Sequence, residues 1–327
     1  MNSQIRLPGL RSSRRFRGRQ DALRATDHND FEACVFKTCK TTLAFVLLAG
    51  FLTGCGTAPG PMNNEAVRGG DSSTVEAQRE SPGPNRTDRV LFVGNSLTYY
   101  GNVPAVFSAL AGASGKPVVS DMIVAGGATL TERVADGSVA RALDEKQYSA
   151  LVVQERGGAL MCTFGPDSCV QSREAVEALA VLARNKGVDI VLMGTYQSHP
   201  AASRRLVEAE SSAAAEAGIG YIEVSGNLQR LTETLPELAW FADDGVHPGK
   251  HLALLNAILV HQALLGSFPA PQAITVRAPI YGNNTGLTKA LRQSDAPPPR
   301  EDTPNEVHYS FETMKKLIEV IDAETGG

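Results

Sequence analysis

Three residues of this sequence have the types and spacing to run a reaction: Ser96, Asp244 and His247. Ser96 follows Gly94-Asn95 at the end of the apolar run Val90-Leu91-Phe92-Val93. A serine on a tight turn from strand to helix presents its hydroxyl at the edge where doubly wound sheets carry their reactive groups. Alone, a Ser after Gly-Asn is more often a turn residue or a helix cap. Asp244-Gly245-Val246-His247-Pro248 places a carboxylate three residues before an imidazole. Such a turn can fold the carboxylate back onto one ring nitrogen, fixing the tautomer and leaving the other nitrogen to serve a nucleophile. Alone, it reads equally as a surface turn with a helix-capping Asp. Taken together, the three are the parts of nucleophilic acyl transfer.

The elements that must position them read as an alternation of strands and helices. Val90–Val93, 117–124, 148–154, 188–195 and 220–224 are short apolar runs with the signature of buried strands. Helical stretches lie between them, near 103–114, 172–186 and 203–218, and another follows Pro248 to about Leu265. This alternation predicts a parallel sheet covered on both faces, with the C-terminal strand ends along one edge. Residues 294–306 read as a loop, and 309–323 as a terminal helix with Phe311, Met314, Leu317, Ile318 and Ile321 on one stripe.

A Gly-Asn-Ser block on the first strand and a late Asp-x-x-His resemble the SGNH (GDSL-type) hydrolase superfamily, over roughly residues 88–266. The resemblance implies a three-layer α/β/α sandwich around a flavodoxin-like, doubly wound parallel sheet of five strands. It implies that Ser96 is the nucleophile, His247 the base and Asp244 the residue that orients it. In that family a second block supplies a glycine whose N–H joins the oxyanion hole. Gly127 of Ala125-Gly126-Gly127-Ala128-Thr129 is the better match, beside Gly126. The third block departs from the family's Gly-x-Asn-Asp: the strand ends Val153-Gln154-Glu155-Arg156-Gly157. Divergent members carry Gln there, so the resemblance offers Gln154 as a replacement amide donor to the oxyanion, with Ser96 and Gly127 giving backbone N–H groups. Glu155 receives no role.

Other residues that could do chemistry carry weaker patterns. His247 and His251 are four apart, but Pro248 and Gly249 intervene and no H-E-x-x-H motif forms, so no metal is expected. His199 could line the active edge, and Tyr99, Tyr100 and Tyr196 the acyl or leaving-group side. Trp240 and Phe241 are expected to pack the loop that carries Asp244. Cys162 and Cys169 flank TFGPDS and could close a small disulfide in an oxidising compartment or stay as two thiols.

Composition sets the surroundings. The 327 residues are 43% hydrophobic and 20% charged, a globular composition. The formal charge of −4 hides a split. Residues 1–54 hold nine basic and four acidic side chains, which leaves −9 on the remainder. An acidic body disfavours nucleic acid as a partner. Lys37 and Lys40 precede the uncharged run TTLAFVLLAGFLTG, too short for the ~20 residues of a membrane span. A basic flank and a short apolar core make a signal peptide. Its end, Leu52-Thr53-Gly54-Cys55, resembles a bacterial lipobox, which implies lipidation at Cys55. The segment before the apolar core is long for such a leader, so translation is expected to begin downstream, near Val35.

The organisation expected is therefore a leader over 1–54, a Gly/Pro/Ser-rich tether over 55–87, a hydrolase-like domain over 88–268, and an appended extension over 269–327. The resemblance implies a lipid-anchored serine esterase of the bacterial cell envelope. It would act on small-molecule or carbohydrate O-acyl esters, without cofactor, and touch the membrane only through its anchor. The missing Gly-x-Asn-Asp leaves a catalytically weak or inactive carbohydrate-binding envelope protein as the alternative. An acyltransferase would use the same three residues.

Overall fold

The computed structural model describes residues 88–325. The expected leader, the lipobox-like segment at Cys55 and the whole of the expected tether lie outside the described residues.

Strand β1 (Asp88–Gly94) is central. It is followed by helices α1 (Ser96–Tyr99) and α2 (Val103–Ala113), then by β2 (Val118–Val124). Helices α3 (Leu130–Ala135) and α4 (Ser138–Glu145) lead to β3 (Ala150–Val153). A single 3-10 turn at Ala159–Met161 precedes α5 (Pro166–Lys186), β4 (Asp189–Met193), α6 (Pro200–Ala217) and β5 (Gly220–Ile222). Proline in the first turn suits the starts of α2, α5 and α6, where no intrahelical acceptor exists for an N–H. Helices α7 (Ser225–Thr234) and α8 (Lys250–Leu265) bracket the loop that carries Asp244 and His247.

The strands lie in the order β5-β4-β3-β1-β2, all parallel. This is the flavodoxin-like order expected of the α/β/α sandwich. The alternation of side chains along β1 divides the core into two layers. Val90 and Phe92 face α2, α7 and α8, whereas Leu91 and Val93 face α3, α4, α5 and α6. Apart from Ser120 and Asp121 of β2, the strand interiors are apolar on both sides, which is why most of these runs show no polar alternation.

Three expectations are corrected. The sheet has six strands, because β7 (Arg292–Gln293) pairs antiparallel with β2 and covers that edge. Residues 269–325 are not an appendage set apart from the core. Strands β6 (Ile274–Val276) and β8 (Val307–Tyr309) pair with each other, and helix α9 (Phe311–Thr325) buries Met314, Leu317, Ile318 and Ile321 in the same layer as α2 and α8. Phe311, placed on that stripe from sequence, is instead exposed, because it opens the helix before the stripe reaches the core. The extension also reaches the sheet edge that carries Ser96: Gly101 N–H donates to the Tyr281 carbonyl at 3.0 Å, and the Asn102 amide donates to the Pro279 and Ser294 carbonyls at 2.8 Å each.

Candidate active site

Ser96 is the first residue of α1, directly beyond the C-terminal end of β1. As a first helical residue its N–H has no acceptor inside the helix. Asn95 caps the turn, its side-chain oxygen accepting the Leu97 N–H at 3.0 Å, while its amide donates to the Ala128 carbonyl at 3.2 Å. The second contact ties the serine turn to the turn that holds Gly127. Gly94 is required by close approach: a Cβ there would lie 2.1 Å from Thr98 Oγ1.

The Asp244–His247 turn folds back as the spacing allows. Asp244 Oδ1 accepts the N–H groups of Val246 and His247 at 2.9 Å each, and Oδ2 lies 2.6 Å from His247 Nδ1. The His247 and Val246 donors hold the Asp244 carboxyl down at about 2, the His247 backbone N–H most of all. An ionised carboxylate can only accept, so Nδ1 carries the ring proton and Nε2 presents its lone pair. That Nε2 lies 2.9 Å from Ser96 Oγ, joining residues 151 apart in the chain. The loop is fixed from outside as well. Tyr196 Oη donates to the Val246 carbonyl at 2.7 Å, and Ala242 N–H donates to the His247 carbonyl at 2.9 Å. Trp240 is buried beneath, its indole N–H on the Leu235 carbonyl at 3.0 Å. Tyr100 lies flat on the His247 ring.

A cavity of about 330 Å³ opens over Ser96 and His247, with Gly127, Arg156, Tyr196 and Phe241 in its wall. Gly127 sits in the turn closed by Ala128 N–H on the Ala125 carbonyl, at a φ of 68° that an L side chain rarely adopts. Its Cβ position is open, so the requirement is conformational rather than steric.

No family model and no curated protein matches the chain. Among solved structures it is similar to a candidate SGNH hydrolase from Slackia heliotrinireducens, at 25% identity and a TM-score of 0.45 over 54% of this chain and 98% of that one. It is similar to a candidate GDSL-like lipase from Parabacteroides merdae, at 15% identity and 0.45 over 56% and 97%. It is also similar to an acetylxylan esterase from Geobacillus stearothermophilus, at 15% identity and 0.44 over 54% and 94%. The likeness is to SGNH hydrolases.

Of the SGNH blocks, the first, second and fourth come together here, as Ser96, Gly127 and the Asp244–His247 pair. The third does not supply the expected donor. Gln154 is a correction: it is not in the cavity wall, and its side chain is held by two hydrogen bonds elsewhere. The Gln154 amide donates to the Gly194 carbonyl at 2.9 Å, and its oxygen accepts the Thr98 hydroxyl at 2.7 Å. It braces α1 against the end of β4. Burial leaves it no route to an oxyanion above Ser96.

Glu155, without a role in the sequence, is a buried support. Its carboxylate accepts the Leu130 N–H at 3.3 Å and the Arg156 N–H at 2.7 Å, and burial raises its pKa. It thereby anchors both the start of α3, just after Gly127, and the strand end beside the cavity. Tyr99 is core, not cavity wall, whereas Phe241 lines the cavity. His199 caps α6, accepting the Ala201 N–H at 3.2 Å, and His251 accepts the Ala239 N–H at 2.8 Å; both are structural. Cys162 and Cys169 are joined as a disulfide. The sequence reading passed over Arg156 and the stacking of Tyr100. The position of Arg156, just past a strand's C-terminal end, was the available signal.

Proposed function

We propose that the protein is a serine esterase of the SGNH type, hydrolysing short O-acyl esters. What supports this reading above all is the His247 ring, within hydrogen-bond reach of Ser96 Oγ on one nitrogen and Asp244 on the other. His247 Nε2 takes the Ser96 proton as Oγ attacks the ester carbonyl. The Oγ–C bond forms while the carbonyl π pair moves to oxygen. The Ser96 and Gly127 N–H groups receive that oxyanion. His247 then gives its proton to the leaving alkoxide oxygen as the C–O bond breaks. Water repeats the sequence on the acyl-serine and releases the acid. Asp244 stays ionised throughout and stabilises the imidazolium.

The cavity volume of about 330 Å³ favours a short acyl group and a leaving group near the size of one sugar ring. O-acetylated carbohydrate is the substrate class we assign, on an envelope enzyme held by a lipid at Cys55. Ser96→Ala is expected to reduce hydrolysis of 4-nitrophenyl acetate to the uncatalysed level while the melting curve persists, and a fluorophosphonate probe is expected to label the wild type at Ser96. Undiminished activity in the variant would overturn the reading.

A further inference from the structure

The cavity wall over Ser96 contains Arg156 and no Asp or Glu. Among the described residues the Arg156 guanidinium forms no ion pair, and its Nε is buried without a hydrogen-bond partner. Its plane is fixed by Phe164, whose ring centroid lies 3.5 Å from the guanidinium carbon. Phe164 in turn belongs to the loop closed by Cys162–Cys169. The neighbouring Glu155 does not neutralise it by contact: that carboxylate is turned inward onto the Leu130 and Arg156 backbone N–H groups.

Arg156 is half-buried with the Glu155 carboxylate nearby, but its Nε has no hydrogen-bond partner, so a bound anion would gain a charge-assisted contact. Stacked on Phe164, the guanidinium belongs to a residue of the cavity wall. A planar fork of that kind matches the two oxygens of a carboxylate. The charge is notable in a chain whose part beyond residue 54 is strongly acidic.

From this we infer that Arg156 is a substrate-binding residue for esters that carry a carboxylate close to the scissile bond, such as acyl esters of acidic sugars. The inference rests on the esterase reading for its substrate but not for its anion site. The carboxylate can belong to the alcohol or to the acid half of the ester.

Two matched pairs separate these sources: 4-acetoxybenzoate against its methyl ester, and phenyl hydrogen succinate against phenyl butyrate. The wild type is expected to favour one charged member by ~10-fold or more in kcat/KM. The preference should shrink with added salt, collapse in Arg156→Gln and survive in part in Arg156→Lys. Binding is read independently of turnover by calorimetry with 4-hydroxybenzoate and with succinate, the products of those esters. The one that matches the favoured side is expected to bind the wild type ~10-fold or more tightly than Arg156→Gln. Equal binding of both acids to wild type and variant, or a charge preference that persists in Arg156→Gln, would overturn the inference. Loss of all hydrolysis with Arg156-dependent binding intact would sink the esterase reading and leave the anion site standing.

Discussion

Tyr100 stacks on His247 with ring centroids 4.1 Å apart and planes 11° from parallel. The tyrosine is itself held from the C-terminal extension: its hydroxyl bonds Asn283, and its backbone bridges to Tyr281. The extension thus reaches the proposed base, His247, through one ring. A ring face against an imidazole limits its rotation. Tyr100→Ala is expected to lower kcat for 4-nitrophenyl acetate by ~10- to 100-fold, the range for a small misplacement of a reacting group. Tyr100→Phe keeps the stack and should retain most of the rate. Equal loss in both variants would assign the effect to the hydroxyl instead.

Asp244 gives a pH prediction with a defined sign. Its carboxyl is lowered from 3.8 to about 2, so it contributes stability above its unfolded pKa that is lost as pH falls through about 2. Asp244→Asn is therefore expected to melt below wild type at pH 6, with the gap closing toward pH ~2. The amide also favours the wrong ring tautomer, and kcat should fall by up to ~10,000-fold. A constant gap in melting temperature across that window would show that the carboxylate is not the cause.

Glu210 has the opposite sign. It lies buried on α6, accepting the Thr195 N–H at 3.0 Å, the Thr195 hydroxyl at 2.7 Å and the Tyr221 hydroxyl at 3.0 Å. Burial pushes its pKa up from 4.5 to about 7, against the lowering effect of Thr195. Its contribution to stability is complete below pH 4.5 and is lost as pH rises through about 7. The loss is on the order of 3 kcal/mol. Denaturant titrations of Glu210→Gln from pH 4 to 8 should be flatter than those of the wild type, because the amide has no proton to lose. Parallel curves would refute this.

Gln154 and Gly94 make a structural pair around Thr98. Gly94→Ala would drive a methyl into the Thr98 hydroxyl and the Gln154 carbonyl, at 2.1 and 3.3 Å. It is expected to destabilise by ~1–3 kcal/mol and to displace α1 with Ser96. Gln154→Glu would place an acceptor where the Gly194 carbonyl needs a donor, with a loss of ~1–3 kcal/mol. A donor to the oxyanion would act differently: its removal would lower kcat ~100- to 1000-fold at unchanged stability. Chemical denaturation and kcat measured on one preparation of Gln154→Leu decide between these roles.

The sequence by itself determined what is local. Apolar runs alternating with helical periods require a parallel sheet with covered faces. A short Asp-x-x-His turn before a proline can fold back within its own few bonds, and it does so here. Gly94-Asn95-Ser96 and Gly127 could be read because turns, caps and positive φ depend on adjacent residues. Tertiary structure decided the rest, because it depends on partners far along the chain. The direction of Gln154 is set by Thr98 and the Gly194 carbonyl, 56 and 40 residues away. A long amide near a strand end has several rotamers, and the one adopted satisfies buried polar groups that no local pattern reveals. The same holds for Arg156 on Phe164, for Tyr100 on His247, and for an extension whose β7 closes the β2 edge. Each is a choice among exposed and buried neighbours that exists only once the two core layers have packed.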